Sequence, residues 1–194
     1  MDPVELSVFS SRIEAVCDEM GAVLRNAAFS PNIRDRLDFS CAVFDARGGL
    51  SAQAAHIPVH LGSMAFAMLD LVARMEWSEG DMVMLNDPYL GGTHLPDVTM
   101  IAPVFTPGGG GGPQGFAVNR AHHADIGSSS PGSMPLSRTI HEEGQVIEPV
   151  HLIRAGKLDR GRLEAICGST RNPTDARGDF FAQVSANRAG ARRL

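Results

Sequence analysis

The sequence predicts a single α+β domain, a mixed β-sheet with helices packed on it, from three observations. An apolar stripe with helical spacing opens the chain, short apolar runs bounded by Gly, Pro and Asp follow, and helical patterns return at the end. The chain has 194 residues, of which 43% are hydrophobic and 20% charged. That length suffices for one core and is short for two, so we expect one domain over residues 1–194.

The first predicted element is a long amphipathic helix from about Pro3 to Ala28. Asp2 as N-cap, Pro3 in the first turn and Glu5 three residues after the cap are typical of a helix start. Apolar residues recur at steps of three and four, which places them on one face. They are Leu6, Phe9, Ile13, Val16, Met20, Leu24 and Ala27.

A β-hairpin and a second helix are predicted next. Phe39–Asp45 and Leu50–Gln53 have the composition of strands, and Ala46–Gly49 joins them as a turn. Leu61–Glu76 carries apolar residues at helical spacing, many of them methionines that we expect in the core.

Three more strands are predicted in the middle of the chain. Met82–Asn86 and Val98–Phe105 are short apolar runs of the kind found in buried strands, and Phe116–Val118 resumes the pattern. The five glycines Gly108–Gly112 lack the flanking strand and helix of a dinucleotide-binding fingerprint. We therefore interpret them as a flexible hairpin connection.

The rest of the chain combines an irregular segment with two helices. His122–Pro135 is too rich in Gly, Ser and Pro for regular structure, and such long loops are usually functional or disordered. From Val150 the sequence predicts a strand, a turn, a short helix at Arg160–Ile166 and a last helix around Phe180–Arg193.

Composition excludes several classes of function. The net charge is −5 and the basic residues are scattered, so we expect no nucleic-acid partner. No apolar stretch is long enough for a membrane span, and Asp2 and Glu5 stand where a signal peptide needs positive charge. We therefore expect a cytoplasmic protein with no membrane partner.

The lysine and cysteine content narrows the chemistry further. Lys157 is the one lysine, and Gly156-Lys157 is followed by Leu158 where a P-loop has Ser or Thr, so we expect no ATP site on this chain. Cys17, Cys41 and Cys167 are odd in number and widely spaced, which favours reduced thiols over a disulfide framework or a cysteine-based zinc site.

The sharpest chemical feature is a repeated His-x-x-Asp pattern in Gly- and Pro-rich loops. It occurs at His94 and Asp97 and again at His122 and Asp125, each time at the end of a predicted strand. Imidazole and carboxylate ligands together suit Zn, Mn or Fe(II). The alternative is that the histidines bond to backbone and the aspartates cap turns, and the spacing alone leaves both interpretations open.

Other polar groups could line the same pocket. The loop Asn86–Asp97 has paired glycines that let backbone approach a ligand, and it holds the one tyrosine, Tyr89. We interpret His60 as lying near the start of the second helix, and His56 or His60 as pocket lining. Ser128–Ser130 lies outside any Gly-x-Ser-x-Gly elbow, which disfavours serine catalysis.

Long collinear motifs extend over almost the whole chain, at Arg36–Ala42, His56–Met64, Asn86–Asp97, Asn119–Gly127, Pro131–Pro135, Ile140–Gly144, Arg171–Pro173 and Gly178–Asp179. Together these motifs resemble those of the hydantoinase B/oxoprolinase family. This family comprises the B-type subunits or domains of ATP-dependent hydantoinases and 5-oxoprolinases, related to subunits of acetone and acetophenone carboxylases.

The resemblance implies a function that needs a partner. Members are considerably longer, and this chain is similar to their N-terminal part, so we expect a domain truncated relative to the family. The implied role is the metal-containing B-type component of a cyclic amide hydrolase, which opens the ring of hydantoin or of 5-oxoproline in glutathione metabolism. The implied A-type partner binds ATP and phosphorylates the substrate in a hetero-oligomer, without which this chain would be inactive.

Two alternatives remain open at this point. One is a carboxylase subunit that uses the same metal site. The other is a non-catalytic fragment or binding module, which the abrupt end of a helical pattern at Leu194 favours.

The resemblance also implies site residues. His94, Asp97 and one of His122 or His123 resemble the ligands of a divalent metal (Zn, Mn or Fe). The residues that resemble the catalytic lining of the pocket are Asp87, Arg120 and Asp125.

Overall fold

One sheet with helices on both faces makes up the structure. The computed structural model describes residues 2–54, 57–106, 108, 111–130 and 135–194. The helices are α1 (Pro3–Ala27), α2 (Pro31–Arg34), α3 (Pro58–Arg74), α4 (Ile140–Glu143), α5 (Arg160–Gly168) and α6 (Pro173–Arg193), and a 3-10 turn covers Pro88–Leu90. The strands are β1 (Phe39–Asp45), β2 (Leu50–Ala54), β3 (Met82–Leu85), β4 (Asp97–Val104), β5 (Gly115–His122), β6 (Val150–Arg154) and β7 (Lys157–Leu158).

The strands lie in the order β2–β1–β5–β4–β3–β6–β7, and neighbouring strands run antiparallel. The predicted α+β class is confirmed. The sheet is not mixed as expected, because no parallel pair occurs among the described strands. Four of the six neighbouring pairs join strands that are consecutive along the chain, and a direct connection without a crossover returns the chain in the opposite direction.

Residues of each strand alternate between two separate cores. In β5, Ala117 and Ala121 pack with α1 and α6, whereas Phe116 and Val118 pack with α3. We call these two sides the α6 face and the α3 face. Toward β3 and β6, the α6 face is completed by α5. Side chains one residue apart on a strand therefore enter different environments.

Helix α1 begins as predicted but is buried over less of its length. The Asp2 side chain accepts hydrogen bonds from the backbone of Val4 and Glu5, and the Glu5 side chain accepts one from the Asp2 backbone. The apolar stripe enters the core from Val16 onward, while Phe9 is 52% exposed. No described element covers the first half of this helix.

Other element boundaries shift by a few residues. Helix α3 starts at Pro58, three residues before the predicted start, and α6 starts at Pro173 instead of near Phe180. The glycine run connects β4 to β5 as predicted, although residues 107, 109 and 110 lie outside the described residues, as does His56. Within the described ranges, no helix is long and apolar enough to span a membrane.

Buried polar side chains fix α6 on the sheet. Asn119 on β5 donates to the Gln183 carbonyl and to the Asn187 side chain, and Gln183 donates to the Val98 carbonyl and to Asn119. Asn187 in turn donates to the Met100 carbonyl. We call Asn119, Gln183 and Asn187 the amide ladder. Gln183 and Asn187 lie within the part of α6 that the sequence predicted, whereas the part it missed is the first turns from Pro173.

Asp179 ties α6 to the end of α1, and its removal should destabilise the fold. Its buried Oδ1 accepts hydrogen bonds from the backbone N–H groups of Phe29 (2.8 Å) and Ser30 (3.0 Å). We expect Asp179→Ala to lower the free energy of unfolding by about 2–3 kcal/mol, because two N–H groups lose their acceptor. Urea denaturation measures this change.

The matched control is Asp18→Ala, which removes an exposed carboxylate from α1. It should change the free energy of unfolding by less than about 0.5 kcal/mol. Equal urea midpoints for the two variants would contradict the role assigned to Asp179.

Candidate metal centre

Two adjacent strands and a turn bring three polar side chains to one edge of the sheet. Asp97 begins β4 and His122 ends β5, and the two residues pair in register. His94 lies in the turn before β4, where its carbonyl accepts a hydrogen bond from the Asp97 N–H. Asp38 precedes β1, and its carbonyl accepts a hydrogen bond from the His122 N–H. The side chains at these strand ends thus lie together on the α3 face.

Three ligand atoms form a nearly equilateral triangle. His94 Nε2 lies 3.0 Å from Asp97 Oδ1 and 3.1 Å from His122 Nδ1, and His122 Nδ1 lies 3.1 Å from the same Oδ1. We call His94, Asp97 and His122 the donor cluster. In the part of the chain that the structure describes, these three side chains form the group of His, Cys, Asp or Glu residues that could hold a metal ion.

The donor cluster fits a divalent transition metal. Ligands about 2.1 Å from one ion lie about 3.0 Å apart in octahedral and about 3.4 Å apart in tetrahedral coordination. The three distances between the ligand atoms, 3.0–3.1 Å, lie in this range. Two imidazoles and one carboxylate match the ligand preference of Zn, Mn and Fe(II), while Mg and Ca prefer oxygen alone.

The environment keeps the Asp97 carboxylate ionised. Burial raises its pKa, but hydrogen bonds from His122, His60, His94 and Thr93 outweigh this and hold the pKa well below its usual range. The hydrogen bond with Asp97 in turn raises the pKa of His94 above its ordinary value, against the opposing effect of burial. The cluster thus holds a fixed negative charge for a cation.

The cluster opens to solvent on one side. The His94 side chain is 32% exposed, whereas those of His122 and Asp97 are 10% and 2% exposed. Asp38 lies at the same side, with its Oδ2 3.9 Å from His122 Nδ1. A small molecule would therefore reach the cluster past His94 and Asp38.

Arg120 supports the cluster from inside the protein. Its fully buried guanidinium donates through Nε to the Thr99 hydroxyl (2.8 Å) and through its Nη atoms to the Ser63 hydroxyl and the Gly91 carbonyl. These partners lie on β4, on α3 and in the loop leading to His94. Burial lowers the Arg120 pKa to about 10, and Asp97 partly offsets this.

His122 and His123 point to opposite faces of the sheet. His122 joins the donor cluster, whereas the His123 ring is buried on the α6 face, where Nε2 lies 2.9 Å from Gln183 Oε1 and the ring packs on Phe180. Burial lowers the His123 pKa. The alternation of a strand makes the two positions exclusive, so the structure assigns the candidate ligand to His122 and excludes His123 from the cluster.

Asp87 and Asp125 lie outside the cluster and have local partners. Asp87 accepts a hydrogen bond from the Tyr89 N–H at the start of the 3-10 turn. Asp125 accepts hydrogen bonds from the backbone and side chain of Arg171, which fastens the loop after β5 to the start of α6. Neither these two residues nor the enclosed Arg120 contacts the donor cluster directly. The catalytic roles expected of all three remain predictions.

Two further residues, His60 and Thr93, contact the donor cluster, and the sequence did not predict these contacts. His60, interpreted from the sequence as pocket lining, is buried in the first turn of α3 with Nε2 3.4 Å from Asp97 Oδ2. Thr93 donates a hydrogen bond to the same Oδ2. Pro58 was the available signal for His60, since it opens the helix and places this side chain toward the sheet.

The chain matches known proteins over its full length. Residues 2–194 match the family model described as Hydantoinase B/oxoprolinase. A 5-oxoprolinase of Dictyostelium discoideum is 41% identical over 193 residues, which cover 98% of this chain and 15% of that protein. An uncharacterized protein of Methanocaldococcus jannaschii is 40% identical over 200 residues, which cover all of this chain and 35% of that one.

Solved structures share the fold. An ATP-dependent caprolactamase from Pseudomonas jessenii superposes with a TM-score of 0.90 at 32% identity, covering all of this chain and 34% of that chain. The chain thus spans about a third or less of the proteins it matches.

Arg120→Lys should weaken both the fold and the cluster. An ammonium cannot reach the three acceptors that the planar guanidinium joins, so we expect a loss of about 2–4 kcal/mol in the free energy of unfolding. Chemical denaturation measures this loss. Exposed Arg12→Lys is the matched control, and an equal loss in both variants would contradict the assignment.

The metal-stripped chain should show a pH-dependent contribution from His94. Because the folded pKa is raised, protonated His94 stabilises the fold fully below its unfolded pKa of about 6.5, and this contribution disappears as pH rises through the folded value. The difference in urea midpoint between the wild type and His94→Gln should therefore be larger at about pH 5.5 than at about pH 8.5. A difference that grows with pH would contradict this assignment.

Proposed function

The chain belongs to the hydantoinase B/oxoprolinase family, and from this premise we propose that it supplies the metal-binding B-type part of an ATP-dependent cyclic amide hydrolase. The observation that carries the proposal is the triangle of His94, Asp97 and His122, with edges of 3.0–3.1 Å and one open side. The preferred ligands are divalent Zn, Mn or Fe.

The relatives favour an amide substrate over a ketone. At more than 30% identity, the chain matches a 5-oxoprolinase and an ATP-dependent caprolactamase, whose names both describe action on a cyclic amide. We therefore propose a small lactam or hydantoin ring as the substrate. Acetone carboxylase shares the fold with a TM-score of 0.88, but at 20% identity this likeness shows the fold alone.

We propose that the ATP-binding site lies on a partner subunit. The sequence has no Gly-Lys-Ser/Thr element, and its one lysine follows a glycine at a β-turn between β6 and β7. An A-type partner would bind ATP and activate the substrate, in a cytoplasmic complex that suits the free, buried thiols of this chain.

The donor cluster would hold the ion and leave its open side to the substrate. A metal bound there would polarise a carbonyl or lower the pKa of water to near neutrality. His94 and His122 would hold the ion as neutral ligands through Nε2 and Nδ1, and Asp97 would supply negative charge through Oδ1. Asp38 lies at the open side, where its carboxylate can accept a proton from water or orient it.

Elemental analysis tests the metal. We expect about one Zn, Mn or Fe per purified chain, and we expect His94→Ala and His122→Ala to lose it. The control His151→Ala should retain the metal, because His151 packs beside Trp77 and is not part of the donor cluster. Circular dichroism checks that each variant is folded. A folded wild type without metal, or equal metal in all variants, would overturn the proposal.

Activity is tested with an A-type subunit, ATP and 5-oxoproline or hydantoin. The complex should release the ring-opened acid, and His94→Ala should remove this product while leaving ATP hydrolysis by the partner. Product formation undiminished by His94→Ala would place the hydrolytic site elsewhere, and a complex that forms no product would favour a non-catalytic module.

A further inference from the structure

The two oxygens of Asp97 have different partners. Oδ1 faces the imidazoles of His94 and His122. Oδ2 points away from them, accepting a hydrogen bond from Thr93 and lying 3.4 Å from His60 Nε2. One oxygen is thus presented to the open cluster, and the other is engaged inside the protein.

His60 is itself held by a second buried side chain. Its Nδ1 lies 3.2 Å from the Ser40 hydroxyl, and both residues are enclosed between α3 and the sheet. Ser40 is fixed on β1, where it pairs in register with Arg120. The imidazole therefore bridges two anchored oxygen atoms, one on each of its nitrogens.

The ionised Asp97 carboxylate selects the tautomer of His60. The Ser40 hydroxyl lies 3.2 Å from Nδ1 and 3.4 Å from the Ile57 carbonyl, and it can donate or accept, so it fits either tautomer. When Nδ1 accepts from Ser40, the proton of a neutral imidazole lies on Nε2. That N–H then faces Asp97 Oδ2. The opposite tautomer would place a lone pair against the ionised carboxylate, which is unfavourable in a buried site.

We propose that His60, oriented by Ser40, is a positioning residue that keeps Asp97 monodentate toward the metal. This inference rests on the proposed metal function. With Oδ2 occupied, Asp97 offers the ion Oδ1 alone, and a coordination position remains for substrate or water. If Oδ2 were released, the carboxylate could rotate and bind through both oxygens, which would fill that position.

Cobalt(II) alone is the probe, because its visible absorption reports coordination number and its binding is measured by titration without any turnover. His60→Leu removes the N–H, and we expect 10–100-fold weaker Co(II) binding together with a changed spectrum. His60→Gln returns an amide N–H at a similar distance along the side chain and should restore the wild-type spectrum. Ser40→Ala should give an intermediate affinity.

The control is His151→Leu, the same substitution at a histidine that contacts the Glu76 carbonyl on another part of the surface. It should leave Co(II) affinity and spectrum unchanged. Thermal unfolding of each metal-free variant shows whether it is folded. If His60→Leu does not fold, His60→Gln and Ser40→Ala decide alone, since restored and intermediate binding are the results expected of them.

The outcomes separate the two proposals. A wild type that binds no Co(II) overturns the metal function and this inference with it. A wild type that binds Co(II), with His60→Leu equal to it in affinity and spectrum, overturns the positioning role alone. Loss of binding in His60→Gln equal to that in a folded His60→Leu also overturns it, because the N–H would then not be the group that matters.

Discussion

The buried guanidinium of Arg120 is the interaction on which the arrangement of the cluster depends. It lies on β5 two residues before His122 and reaches β4, α3 and the loop that leads to His94. Its third partner is the carbonyl of Gly91, whose backbone packs directly against Ala67 on α3. Any side chain at this position would clash, since a Cβ at Gly91 would lie 2.4 Å from the Cβ of Ala67. The loop and the helix are therefore in contact at a point where only glycine fits, and one cation fixes both relative to the sheet.

This arrangement also balances charge inside the protein. Asp97 is ionised and buried at one edge of the sheet, and Arg120 is buried near it on the neighbouring strand. Each is surrounded by hydrogen-bond partners, and the negative charge of Asp97 favours the charged form of Arg120. A cation bound at the cluster would add to a site that is already ordered, so little reorganisation is required.

The sequence predicted those features that local pattern controls. The capping box of α1, the hairpin at Ala46–Gly49 and the His94-x-x-Asp97 spacing depend on residues close in sequence, and each was recognised. Features that depend on pairing between distant strands could not be predicted. The choice between His122 and His123 requires knowing which face of β5 meets α3, and a single register determines it.

The amide ladder shows that this fold selects one arrangement as well as stabilising it. The surface of α6 that meets α1 is lined by small residues such as Ala182 and Ala186, whose apolar contacts would tolerate a slide along the partner. Directional hydrogen bonds from Gln183 and Asn187 to single carbonyls on β4 do not tolerate it. A helix displaced by one turn would leave several amides unpaired in the dry interior, so misaligned forms are disfavoured even where their hydrophobic packing is adequate. The hydrogen bonds of the ladder therefore distinguish the native register of α6 from neighbouring registers that apolar contacts alone would not distinguish.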